Sequence, residues 1–118
     1  MFTFKSPVIP DKKWKVYLKS PKEMIDIYYE DTEPEDGYTV NGITDFTTDN
    51  VYINNELDGF LLMKTIRHEL MHVYLWDLEK NDYHFSDEEV VEIMSVAAPL
   101  ICEIANEIAK KIKRNIKE

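Results

Sequence analysis

The sequence predicts an α+β domain in which a small antiparallel or mixed sheet is followed by helices. Three observations carry that reading. Short segments with strand character are confined to the first half of the chain, at residues 14–19, 38–46 and 51–53. From Asp58 onward the apolar residues follow a helical period instead, with Leu62, Ile66, Leu70, Val73 and Trp76 spaced by three and four. Strands first and helices afterwards is the order of an α+β domain rather than of alternating βα units. At 118 residues with 44% apolar content the chain builds one modest core, so residues 1–118 are expected to form a single domain.

Each element has its own local signal. The alternation in Trp14-Lys15-Val16-Tyr17-Leu18-Lys19 reads as a first strand. Ser20-Pro21-Lys22-Glu23 is a capping box with proline at the first helical position, which predicts a short helix through about Tyr29. The acidic stretch at residues 30–37 reads as a loop. Residues 38–46 and 51–53 read as strands joined by a turn at Thr48-Asp49-Asn50. From Asp58 the chain reads as helical apart from a loop at residues 81–85, and Pro99 is expected to kink or restart the last helix. No internal repeat or low-complexity segment is present.

Within the first long helix stands His68-Glu69-Leu70-Met71-His72, an HExxH motif. Residues four apart on a helix lie one turn above each other, so His68 and His72 can offer two imidazole nitrogens to one metal ion. Glu69 is one step round the same surface. Its carboxylate is placed to take a proton from a water held at the metal's open position rather than to join the grip. With 3 His and 13 Glu in the chain, the pattern arises by chance with a probability of about one per cent or less. The competing reading is a surface helix with two solvated histidines.

Two histidines need a third protein ligand. The metzincin arrangement is excluded, because Leu75 and Leu78 stand where its glycine and third histidine belong. The remaining histidine, His84, lies in a polar connection and is expected to be exposed or structural. The acids of Ser86-Asp87-Glu88-Glu89-Val90-Val91-Glu92 are stronger candidates. Ser86 and Glu89 form a second capping box, which gives Glu89 a structural duty. Glu88 and Glu92 remain as a pair one turn apart, one suited to the metal and the other to orienting a ligand. Their alternative is an exposed, acidic first turn that suits the helix dipole.

The runs Asn41-Gly42-Ile43-Thr44-Asp45-Phe46, Val51-Tyr52-Ile53-Asn54, Thr65-Ile66-Arg67-His68-Glu69-Leu70-Met71-His72 and Glu88-Glu89-Val90-Val91-Glu92 together resemble the small gluzincin-type zinc metallopeptidases of phages and mobile elements, akin to the ImmA/IrrE group. The resemblance spans about residues 37–105. It implies a zincin-like fold, a Zn2+ cofactor and hydrolysis of a peptide or protein substrate, with Glu69 as general base. It assigns the metal to His68, His72 and Glu88 and makes Glu92 the later acid, with Glu92 or Glu89 as the fallback ligand. In such folds a sheet edge beside the metal receives an extended peptide, and residues 42–47 are the expected edge, unless they form an ordinary internal strand. His84, Tyr83 and Tyr74 are the unranked donors to the oxyanion. The alternative from another class is a catalytically silent, metal-holding module that engages a partner protein, against which the intact Glu69 argues.

Composition narrows the partners. A net charge of -9 argues against nucleic-acid and anionic-membrane partners, which draw affinity from clustered cations. Lysines gather near the start, and Lys110, Lys111, Lys113, Arg114 and Lys117 near the end, the latter read as a solvated helix terminus. The single Cys102 can form no internal disulfide and sits in an apolar run, where it is expected in the core. The first residues lack a signal-peptide pattern and no uncharged run is long enough to span a bilayer, so a cytoplasmic protein is expected.

Overall fold

The computed structural model describes residues 1–29, 39–79 and 85–117. The order is β1 (Phe2–Lys5), β2 (Lys13–Lys19), α1 (Pro21–Tyr29), β3 (Gly42–Asp45), β4 (Asn50–Asn54), α2 (Gly59–Asp77) and α3 (Asp87–Lys117). The fold is α+β, with one mixed four-stranded sheet in the order β1-β2-β4-β3. β1 and β2 are antiparallel, β2 and β4 parallel with Val16 beside Val51, and β3 and β4 antiparallel with Thr44 beside Val51. The parallel step follows the crossover through α1. Because β3 bonds only to β4 among the described residues, it is one edge of the described sheet.

Alternation decides what each strand buries. Trp14 and Val16 on β2 and Val51 and Ile53 on β4 turn to one face, where they are nearly or fully excluded from solvent. That face packs on Leu62, Ile66, Leu70 and Val73 of α2, and on Ala97, Ile101, Ala105, Ile108 and Ile112 of α3. Trp76, the last residue of the predicted apolar stripe of α2, is instead exposed and stacks on Phe46 with ring centroids 4.5 Å apart. β1 has no counterpart in the sequence reading. It is four residues long, and its ladder with β2 makes it a strand. The strand expected over residues 38–46 is ordered as a strand only at Gly42–Asp45, and Tyr38 lies outside the described residues, as does the acidic loop at residues 30–37.

Both capping boxes form. Ser20 Oγ accepts from the Glu23 amide and Glu23 Oε1 from the Ser20 amide, each at 3.2 Å. Ser86 Oγ accepts from the Glu89 amide at 3.2 Å, while Glu89 Oε1 accepts from the Ser86 amide at 3.3 Å. At the β3–β4 turn Asp49 takes the left-handed conformation, with φ 57. Asp45 accepts from the Thr47 hydroxyl and amide there, and the Thr47 hydroxyl holds the Asp45 carboxyl below its ordinary range against the opposing effect of burial. α2 ends where Glu79, at φ 63, returns its amide to the Trp76 carbonyl.

α3 runs as one helix across Pro99, so of the kink or restart expected there the restart does not occur. Proline removes one helical bond, the one due to the Ser95 carbonyl, and Ser95 is exposed, so that carbonyl can be hydrated. Cys102 is exposed rather than in the core. The step from Ile101, which is buried, to Cys102 turns about 100° round the helix and moves the thiol out to the groove between α2 and α3. Among the described residues no helix is long and apolar enough to cross a membrane.

Candidate functional site

α2 is placed by its core stripe, and that stripe leaves the motif beside the sheet edge. Leu62, Ile66, Leu70 and Val73 point into the core, which rolls His68 and His72 toward β3. Their rings lie side by side with centroids 5.0 Å apart and planes at 72°. His68 is 64% exposed, whereas the Glu69 side chain is 7% exposed. Adjacent residues of the motif thus occupy opposite environments, with one imidazole open to solvent and one carboxylate enclosed.

β3 provides the enclosure. Gly42 and Thr44 share the face of the strand that meets α2. The Thr44 hydroxyl donates to Glu69 Oε1 at 2.8 Å. The other oxygen, Oε2, stands 3.9 Å from His68 Nε2. A Cβ at Gly42 would meet Glu69 Cγ at 2.8 Å and Oε2 at 2.9 Å, so only glycine permits this approach of strand to helix. Phe46, just past the strand, meets the His72 ring edge-on at 6.4 Å and stacks on Trp76. The His72 ring is therefore braced by an aromatic pair from β3 and the last turn of α2.

His68 and His72 form a ridge between two clefts. On the β3 side a cleft of about 340 Å³ is walled by Tyr28, Gly42, Thr44, Phe46 and the motif. A smaller space of about 250 Å³ continues along the strand toward Asn41 and Lys64. On the α3 side lies a more apolar cleft of about 440 Å³, where Met71 and Leu75 face Met94, Ala98 and Cys102, with Lys64 and Arg67 at its rim.

The structure brings together His68, Glu69 and His72. It places Glu88 and Glu92 exposed on the first turns of α3, and neither lines these three clefts. The α3 residues that share a cleft with the histidines are Met94, Ala98, Ile101 and Cys102. Among the described residues no group of three or more His, Cys, Asp or Glu side chains stands positioned to hold a metal ion. His84 and Tyr83 lie outside the described residues. Tyr74, two positions past His72 and so about 200° round the helix, is buried in the core and lines none of these clefts.

The site residues that sequence reasoning did not assign are Gly42, Thr44, Phe46 and Tyr28. The expected edge strand covered the first three by position, but their contacts with α2 depend on a pairing between distant segments. In donor chemistry, two imidazoles on one helical face with an enclosed carboxylate beside them fit two zinc ligands and a base. Comparisons with models of known protein families, with curated proteins and with solved structures found no match.

Proposed function

We propose that the chain is a zincin-like, zinc-dependent metallopeptidase that hydrolyses bonds in a peptide or protein substrate. The observation that supports this most is the convergence of His68, His72 and the buried Glu69 on one cleft walled by an edge strand. A structural metal site has no use for an enclosed carboxylate beside its ligands, whereas a hydrolytic one needs a base held out of bulk water.

In this reading His68 and His72 would hold Zn2+, and Glu88 would be the third ligand by the family resemblance alone, since the structure leaves it exposed and outside the clefts that the histidines line. The metal, when bound, acidifies water and polarises a carbonyl. Glu69 accepts the water proton and returns it to the leaving amine. β3 receives the substrate as an added strand, because among the described residues only one side of its backbone is paired in the sheet. A ligand extended along β3 would lie in the cleft walled by Gly42, Thr44, Phe46 and the two histidines.

The test is metal analysis of the purified protein with a peptide-library assay, on the wild type and on Glu69→Gln. Retained zinc with turnover lowered by several orders of magnitude is the expected result for a base that binds no metal. Equal turnover in both proteins sinks the mechanism. Bound zinc without turnover in the wild type favours the metal-holding module that engages a partner protein.

A further inference from the structure

The two oxygens of Glu69 are not equivalent, and strand β3 makes the difference. Oε1 accepts the Thr44 hydroxyl at 2.8 Å. Oε2 lies 2.9 Å from the position where a side chain at residue 42 would begin, and that position is left empty by glycine. Threonine is stiff about its first side-chain torsion, so a hydroxyl fixed on a paired strand is a rigid donor. A donor of that kind to a carboxylate forms one of the stronger classes of hydrogen bond. The strand therefore grips one oxygen and clears space for the other, two residues apart on the same face.

We propose that the Gly42-Ile43-Thr44 step of β3 is a positioning element for Glu69: it keeps Oε1 on the strand and presents Oε2 to the cleft beside His68 as the proton acceptor. This rests on the reading of Glu69 as general base. Thr44 acts through Glu69 and needs no contact with substrate. Gly42 acts by what it lacks, since a methyl there must displace both the Glu69 side chain and the Thr65 methyl, which is 2.9 Å from the same point.

Simple packing of β3 on α2 predicts something different. Thr44→Val preserves the shape and removes only the donor, while Thr44→Ser preserves the donor and removes a methyl. The experiment is a set of crystal structures of the metal-free wild type, Thr44→Val, Thr44→Ser and Gly42→Ala, together with zinc content, kcat and KM for each. In Thr44→Val the carboxylate is expected to turn away from the strand, with zinc content unchanged. kcat should fall about 10- to 100-fold, as for loss of a supporting hydrogen bond, while KM moves less than about threefold. Thr44→Ser should restore both carboxylate orientation and kcat. Gly42→Ala should displace Glu69 by an independent route and lower kcat in the same way.

A Glu69 carboxylate that superposes on the wild type in Thr44→Val overturns the proposal, whatever the turnover. So does a Thr44→Ser variant as impaired as Thr44→Val, which assigns residue 44 to packing. A wild type that holds no zinc and cleaves no peptide defeats the metallopeptidase reading and, with it, the presentation of Oε2 as proton acceptor. In that event the crystal structures still decide whether residues 42 and 44 set the carboxylate.

Discussion

The indole nitrogen of Trp14 donates to Asp77 Oδ2 at 2.9 Å across a sequence separation of 63 residues. The same carboxylate accepts from Ser6 Oγ at 2.6 Å and from Lys12 Nζ at 2.6 Å, and its side chain is fully buried. The last turn of α2 is thereby fastened to the N-terminal hairpin by three donors. Asp77→Ala strands the Trp14 donor in the core and leaves Lys12 without its closest counter-ion. The expected cost is about 3 kcal/mol, near the lower end for a broken buried pair because Lys12 is partly exposed. Thermal or urea unfolding measures it, and a loss under about 0.5 kcal/mol, the range of an ordinary surface change, contradicts the fastening role.

The same cluster sets an alkaline limit. Burial lowers the Lys12 pKa, but its contacts with Asp77 and Asp49 outweigh that and carry it above the ordinary lysine value of 10.5. A cation whose folded value is raised stabilises the fold fully below the unfolded value and loses that contribution as pH rises through the folded one. Wild-type stability should therefore fall off above about pH 10.5 more steeply than that of Lys12→Met. Unfolding curves recorded from pH 8 to 11.5 test this, and parallel profiles count against it.

His68 and His72 are adjacent on one helical face. His68→Ala or His72→Ala should abolish stoichiometric zinc, and with it the rise in melting temperature on zinc addition. For the wild type at zinc 100 times its Kd, that rise corresponds to about 2.7 kcal/mol of linkage. Unchanged metal content in both variants returns the motif to coincidence.

The proposed function gives the three acids at the start of α3 separable duties. Glu89 closes the capping box with Ser86, so Glu89→Ala should cost about 0.5 to 2 kcal/mol of stability and leave zinc affinity nearly intact. Glu88→Ala should weaken zinc most, and Glu92→Ala by about 10- to 100-fold. A zinc titration of the three variants decides the order. Loss of metal in Glu92→Ala with normal binding in Glu88→Ala moves the ligand one helical turn along.

Cys102 is exposed and lines the apolar cleft that His68 and His72 also line. A thiol reagent should label the native protein at this single position. A bulky maleimide there should lower zinc uptake or turnover by filling the cleft, with Cys102→Ser insensitive to the reagent. Native protein that resists labelling contradicts the exposed placement.

What the sequence revealed of this architecture was local, and what it concealed was pairing. Both capping boxes were legible because donor and acceptor are three residues apart, and α2 was legible because its apolar spacing repeats along one helix. β1 was not, since Phe2–Lys5 is too short to show a pattern and becomes a strand only against β2. The grip of Thr44 on Glu69 joins residues 25 apart and depends on which strand lies at the sheet edge. The Cys102 error was angular: a run of apolar residues on a helix does not say which of two neighbours faces in. The capped start of α3 was equally readable, but the direction in which Glu88 and Glu92 point depends on the packing of α3 against α2.

Pro99 carries no amide hydrogen, so α3 lacks one bond of its ladder there. Before it, Val90, Val91, Met94 and Val96 are exposed, whereas Ile101, Ala105, Ile108 and Ile112 beyond it are buried. Amide exchange along α3 should accordingly fall into two tiers, the early turns exchanging through local opening and the later ones only with global unfolding. Met94, one wall of the apolar cleft, rides on the early tier. The breathing of that cleft thus follows the exposed early turns of α3 rather than its buried later ones.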